Sequence, residues 1–138
     1  MKDSLKILLF APLFLWSLPK DGQVQHGQIQ IEKRLQEMSI HQGTANAIIH
    51  WQEFSIGDKE KVSFKLPGET SKTLNRVMGD KLSAIHGKLN SNGILYLINQ
   101  NGILIGPNGV IQTKGFVGST LDLSNEDFLS QQQKFYGS

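Results

Sequence analysis

The 138-residue sequence contains no cysteine, which excludes disulfides, zinc–thiolate sites, thiol nucleophiles and cysteine-linked lipid anchors. Charge of one sign is lacking too: 14 Lys and Arg stand against 12 Asp and Glu, a formal net charge of +2. So close a balance leaves no electrostatic footprint for a nucleic-acid partner. After residue 18 no stretch approaches the ~18 consecutive apolar residues of a membrane-crossing helix. Proline is scarce, 4 against 14 glycines, which points to a β-rich chain of many tight turns. With 38% hydrophobic and 19% charged residues the composition is that of one folded domain.

Chemistry is equally sparse. His26, His41, His50 and His86 are nowhere three or four residues apart, so no metal-ligand pair has helical spacing. No phosphate-cradling G-x-x-x-x-G-K loop occurs. Asp122, Glu126 and Asp127 cluster, but they surround Ser124 in a pattern that reads as helix-cap chemistry rather than as an acid–base pair. Lys59, Lys61, Lys65 and Lys72 are interleaved with acids and read as a solvated face. No catalytic residue, metal site or cofactor is expected, and the chain reads as something other than an enzyme.

Residues 1–18, MKDSLKILLFAPLFLWSL, place Lys2 and Lys6 before an apolar run from Ile7 to Leu18. A basic start followed by a short apolar stretch is the layout of a secretory signal peptide. The domain proper is then expected over residues 19–138.

Period-two patterning dominates the rest. Val24–Ile31 reads as a half-buried strand, and Met38 with Ile40 continues as strand although Glu32–Glu37 has local helix propensity. Ala45, Ala47, Ile49 and Trp51 share a face; after Glu53 the apolar face slips to Phe54 and Ile56, so a bulge or bend is expected near Gln52–Glu53. Val62, Phe64 and Leu66 alternate with Lys61, Ser63 and Lys65, and Pro67-Gly68 closes that strand. Trp51, Phe54 and Phe64 read as core rather than as a sugar-stacking platform. Residues 69–86 show no clean period.

From Asn90 the sequence repeats with a nine-residue period. Asn90-Ser-Asn-Gly-Ile-Leu matches Asn99-Gln-Asn-Gly-Ile-Leu, and Asn108-Gly109 follows. Each Asn-Gly supplies a turn through residues that tolerate φ > 0. Local signals favour an antiparallel meander with type I′ turns. The fixed period favours a parallel β-helix in which Asn90 stacks over Asn99 as an amide ladder. The pattern alone leaves both open.

The ordered set Gly22-Gln23-Val24, Ala47-Ile48-Ile49-His50-Trp51-Gln52-Glu53-Phe54-Ser55-Ile56-Gly57, Leu74-Asn75-Arg76-Val77, Asn90-Ser91-Asn92-Gly93, Asn99-Gln100-Asn101-Gly102 and Leu121-Asp122-Leu123-Ser124 resembles the two-partner-secretion domain of filamentous-haemagglutinin-like exoproteins. The resemblance runs through nearly all of residues 18–128. It implies an all-β, right-handed parallel β-helix preceded by a signal peptide. It also implies a role as a secretion address, read by an outer-membrane transporter β-barrel with periplasmic transport-associated domains after the general secretory machinery has exported the chain. Adhesion to a host-cell surface, where the exoprotein has it, belongs to the downstream passenger. The competing reading is a stand-alone adhesive or carbohydrate-binding surface module.

The residues implied for partner recognition are Asn75, Arg76, Asn90, Asn92, Asn99, Gln100, Asn101 and Gly102. Two departures from the family pattern stand out: Gln100 replaces a proline, and His86 occupies a place near Ile85 where a packed aromatic is usual. The family's domain is normally longer, so the chain reads as truncated, with an open sheet edge expected at its C-terminal end.

Overall fold

A computed structural model describes residues 18–130 and 135–136. Of the expected signal peptide only Leu18 falls within that range, so the leader lies outside the described residues. The first strands are β1 (Gln23–His26), β2 (Ile29–Lys33), β3 (Glu37–Gln42) and β4 (Asn46–Trp51). They are followed by β5 (Lys61–Lys65), β6 (Lys72–Val77) and β7 (Ser83–Ile85), then β8 (Lys88–Ser91), β9 (Ile94–Ile98) and β10 (Ile103–Ile105). Next come β11 (Val110–Gln112), β12 (Gly115–Ser119) and β13 (Asp122–Leu123), a short helix α1 (Asn125–Ser130), and β14 (Phe135–Tyr136).

These strands wind into a β-solenoid of about four turns with three faces. One face stacks β3, β5, β8 and β11 in parallel; the second stacks β4, β6, β9 and β12 in parallel. The third is narrower, with β7 paired to β10 and Ile56 bridged to Ile85. Parallel stacking settles the choice that local turn signals left open: the Asn-Gly corners do not close hairpins. Among the described residues antiparallel strand pairs involve only the first four strands and the last two. β1 lies against β4 and β2 against β3, covering the first turn, and β13 pairs with β14. At the far end β10, β11 and β12 are outermost, with Leu104, Ile105 and Val110 exposed.

Alternation explains the interior. Met38, Ile40, Val62, Phe64 and Leu89 point inward from the first face and meet Ile49, Trp51, Leu95 and Leu97 from the second, with Phe54, Ile56 and Ile85 closing the third side. Each fully buried Ile or Leu contributes roughly 1.5–3 kcal/mol. A second cluster lies outside the solenoid. Ile48, Leu74, Tyr96 and Ile98 point outward from the second face and are covered by Leu123 and Phe128, with the Tyr96 and Phe128 rings edge-to-face at 5.2 Å. That sheet therefore buries side chains on both sides, and in β6 polar Thr73 and Asn75 face inward while Leu74 faces outward, so the strand within residues 69–86 shows no apolar alternation.

The slip after Trp51 is the expected bend, and it is a corner of the solenoid: β4 ends there and Phe54 and Ile56 turn onto the third face. Corners bring backbone of successive turns together. A Cβ on Gly87 would lie 2.2 Å from the Gly57 carbonyl oxygen and 2.3 Å from that of Glu60. Gly87→Ala is expected to lower unfolding free energy by about 2 kcal/mol. Gly68→Ala, with nothing within 4 Å, is expected to change it by less than about 0.5 kcal/mol. Urea midpoints of the two variants check the contrast.

Candidate functional site

The repeated Asn-Gly pairs fall at successive corners of one solenoid turn: Asn92-Gly93 between β8 and β9, Asn101-Gly102 between β9 and β10, Asn108-Gly109 between β10 and β11. The nine-residue period is thus one side of the turn. The full turn is longer: Lys72 partners Ile94 in the next one, an offset of 22 residues (94 − 72). Asn90 consequently does not stack over Asn99. It lies on the outer side of the first face between Ser63 and Gln112. Its Oδ1 is buried with no hydrogen-bond partner among the described residues. Only Gly102 among the three corner glycines has φ > 0, at +117°. Gly93 and Gly109 are needed for space instead, since a Cβ would sit 2.8 Å from the Ser71 oxygen or 2.4 Å from that of Ile85.

The corner asparagines bind the turn before them. Asn92 clamps the Leu66 backbone: its Nδ2 donates to the carbonyl and its Oδ1 accepts from the amide, both at 2.8 Å. Asn99 is wholly buried. Its Nδ2 donates to the Lys81 carbonyl and to Ser83 Oγ, each at 2.9 Å, while its Oδ1 accepts from the Asn101 amide at 2.9 Å. Asn101 Nδ2 donates to the Gly79 carbonyl at 2.8 Å. Asn75 points into the solenoid, accepting from Trp51 Nε1 at 2.9 Å and donating to the Tyr96 carbonyl at 3.2 Å. Such buried amides link three successive turns.

Gln100 is exposed, at the second position of the turn closed by the Gly102 amide on the Asn99 carbonyl. Proline is favoured there and fixes φ in advance. Gln100→Pro is expected to raise stability by about 0.4–1 kcal/mol, seen as a higher thermal midpoint; a lower midpoint would show that the turn needs a different φ.

Arg76 points outward from β6 and is the hub of the second face. Its Nε donates to Asp122 Oδ1 at 2.9 Å, its Nη1 to Asn125 Oδ1 at 2.8 Å, and its Nη2 to the Leu123 carbonyl. Nη1 also lies 2.7 Å from His50 Nε2, which accepts when the ring is neutral. Together with Lys72, whose Nζ donates to the Phe128 carbonyl and sits over the Phe128 ring, this fastens β13 and α1 to the solenoid. Burial foremost, then the Arg76 charge, hold the His50 pKa below its ordinary 6.5, against an opposing pull from Asp122. The unfolded chain therefore binds a proton more readily, and the contribution of this contact is lost as pH falls below about 6.5. The thermal midpoint is expected to drop over that range more in the native chain than in His50→Gln, which accepts from Arg76 without titrating.

A groove of about 460 Å³ runs along the corner after the second face, lined by Gln52, Arg76, Met78, Asp80, Gln100, Asn101 and Asp122 among others. It brings Arg76, Gln100 and Asn101 together out of the eight residues singled out in the sequence. Gly102 adjoins them; Asn75 and Asn99 are buried behind, and Asn90 and Asn92 lie elsewhere. Among the described residues no group of three His, Asp or Glu could hold a metal, and no helix is long and apolar enough to cross a membrane.

Residues 17–137 match the family model of the TPS secretion domain. The chain belongs to that family. The crystal structure of the HMW1 secretion domain from Haemophilus influenzae is similar at a TM-score of 0.78 and 37% identity, over 82% of this chain and 30% of that one. A heme/hemopexin-binding protein of Haemophilus influenzae is 37% identical over 118 residues, 85% of this chain. The same-named protein of strain Rd is 38% identical over 106 residues, 77% of this chain. The chain spans 13% and 12% of the lengths of these two relatives.

Sequence reading passed over His50 and Asn125 and took Asp122 only as cap chemistry. The cap exists, with Ser124 Oγ accepting from the Asp127 amide at 3.1 Å. A neutral His, an Arg and an Asp spread over 72 residues (122 − 50) carry no local signal; only the solenoid stacking, which pairs His50 with Arg76, joins them.

Proposed function

We propose that this secretion domain is the address by which an outer-membrane β-barrel transporter, through its periplasmic transport-associated domains, selects an exoprotein for release or display at the cell surface. Residues 1–18 act as a signal peptide for the general secretory machinery, and residues 19–138 carry the address. The domain works by recognition, not catalysis. Heme or hemopexin binding, which the names of the Haemophilus influenzae relatives print, is no part of this reading, because the shared region is a small fraction of those proteins.

The observation that carries the proposal is the family match along residues 17–137, on a fold whose candidate recognition residues form turn-to-turn bonds. Asn75 and Asn99 are buried once the solenoid has formed. A partner therefore reads them before folding and is left afterwards with the rim of the groove, chiefly Gln100 and Asn101. Strand addition, in which backbone bonds give affinity and side chains give register, suits an unfolded segment. The test is binding of the transporter's periplasmic domains to the chain freshly diluted from urea and to the folded chain. The unfolded native chain is expected to bind more tightly than the folded one, and the unfolded Asn99→Ala/Asn101→Ala double variant to bind weakly. Equal binding of the unfolded double variant would remove these residues from the address.

A further inference from the structure

The three Asn-Gly pairs are alike in sequence and unlike in structure. Asn-Gly is where a chain cyclises most readily, because glycine offers no side chain to obstruct its own nitrogen as that nitrogen reaches back to the asparagine amide carbon. Their glycine nitrogens do not distinguish the pairs. Each is hydrogen-bonded: Gly93 to Ser91 Oγ at 3.0 Å, Gly102 to the Asn99 carbonyl at 3.1 Å, Gly109 to the Gly106 carbonyl at 3.0 Å.

Their side chains do distinguish them. The Asn92 amide is held at both ends by the Leu66 backbone. The Asn101 amide nitrogen donates to the Gly79 carbonyl and, at 3.1 Å, to Asn99 Oδ1. Asn108 is exposed, as the other two are, but its one side-chain hydrogen bond among the described residues is a long one, 3.3 Å from Nδ2 to Asp58 Oδ1. Rotating its amide carbon toward Gly109 gives up almost nothing.

We propose that Asn108 is a deamidation site of the folded domain, and that folding shields Asn92 and Asn101 from the same reaction. The Gly109 nitrogen bonds to Asn108 Cγ and gives up its proton; the Cγ–Nδ2 bond breaks and ammonia leaves, closing a succinimide. Solvent water then adds at either ring carbonyl and opens the ring to aspartate or isoaspartate, with no change of oxidation state. The new carboxylate faces Asp58, so attraction becomes repulsion. The isoaspartyl form also adds a methylene to the main chain where Gly109 packs on the Ile85 carbonyl and Val110 donates to the Gly87 carbonyl. The effect therefore falls on the pairing of β11 with β8.

The experiment incubates the full chain in mildly alkaline buffer, folded and in urea, and maps aspartate and isoaspartate by proteolysis and electron-transfer mass spectrometry. In urea the three sites are expected to convert at similar rates. In the folded chain Asn108 is expected to convert about tenfold or more faster than Asn92 and Asn101, since each of these must first break two hydrogen bonds. Asn108→Gln is expected to leave the folded chain essentially unconverted. Conversion of Asn92 or Asn101 as fast as Asn108 in the folded chain would overturn the proposal, as would an unchanged Asn108 in a folded sample whose urea counterpart reacts there.

Discussion

Asn99→Ala is expected to lower unfolding free energy by about 4 kcal/mol, because it removes three hydrogen bonds of a wholly buried side chain at once. The Lys81 carbonyl, Ser83 Oγ and the Asn101 amide each lose their bond to this one side chain. Ser83 is as fully buried as Asn99, so water cannot replace the lost partner without opening the corner. The loss should exceed that of Asn92→Ala, whose side chain is exposed and gives up two hydrogen bonds, both to Leu66. Urea unfolding of the two variants measures the difference. Similar midpoints for both would mean that the β9–β10 corner is not the tighter joint between turns.

The second large effect is local. Arg76→Met removes the guanidinium that joins Asp122, Leu123 and Asn125 to the solenoid, and is expected to weaken attachment of β13 and α1 by about 3 kcal/mol. The figure is held down because Asp122, at 39% side-chain exposure, retains partial hydration once its partner is gone. Uncovering Ile48, Leu74 and Tyr96 follows from detachment. Hydrogen exchange is expected to speed up at amides 123–130 while amides of β5, β6 and β9 keep native protection. Uniform acceleration across the solenoid would show that Arg76 supports the body rather than the flap.

How much of this was legible in the sequence depends on which side of a strand faces solvent. β5 was readable because its inner face is Val62 and Phe64 and its outer face Lys61, Ser63 and Lys65. β6 was not, because Thr73 and Asn75 lie inside and Leu74 lies outside under α1. The corner asparagines were visible as a repeat, yet the repeat measures a side of the solenoid turn and says nothing about which residues stack. Stacking is a non-local property, and it decides the chemistry of the site: His50 meets Arg76 only because β4 pairs with β6 in that register. The resemblance to two-partner-secretion domains supplied the winding that periodicity alone could not, and the family match and the parallel sheets agree with it. His86, where that family usually packs an aromatic, lies half-buried with its ring against Gly106, a residue whose missing Cβ would sit 2.2 Å from Nδ1.

The central claim is that the chain is a secretion address, and the direct measurement is partner-dependent export. The full chain is expressed in a diderm host with and without a cognate outer-membrane barrel, and its amounts in periplasm and medium are compared. The account predicts passage to the medium only when the barrel is present, with the Asn99→Ala/Asn101→Ala variant retained in the periplasm. Release that is the same with and without the barrel would contradict it.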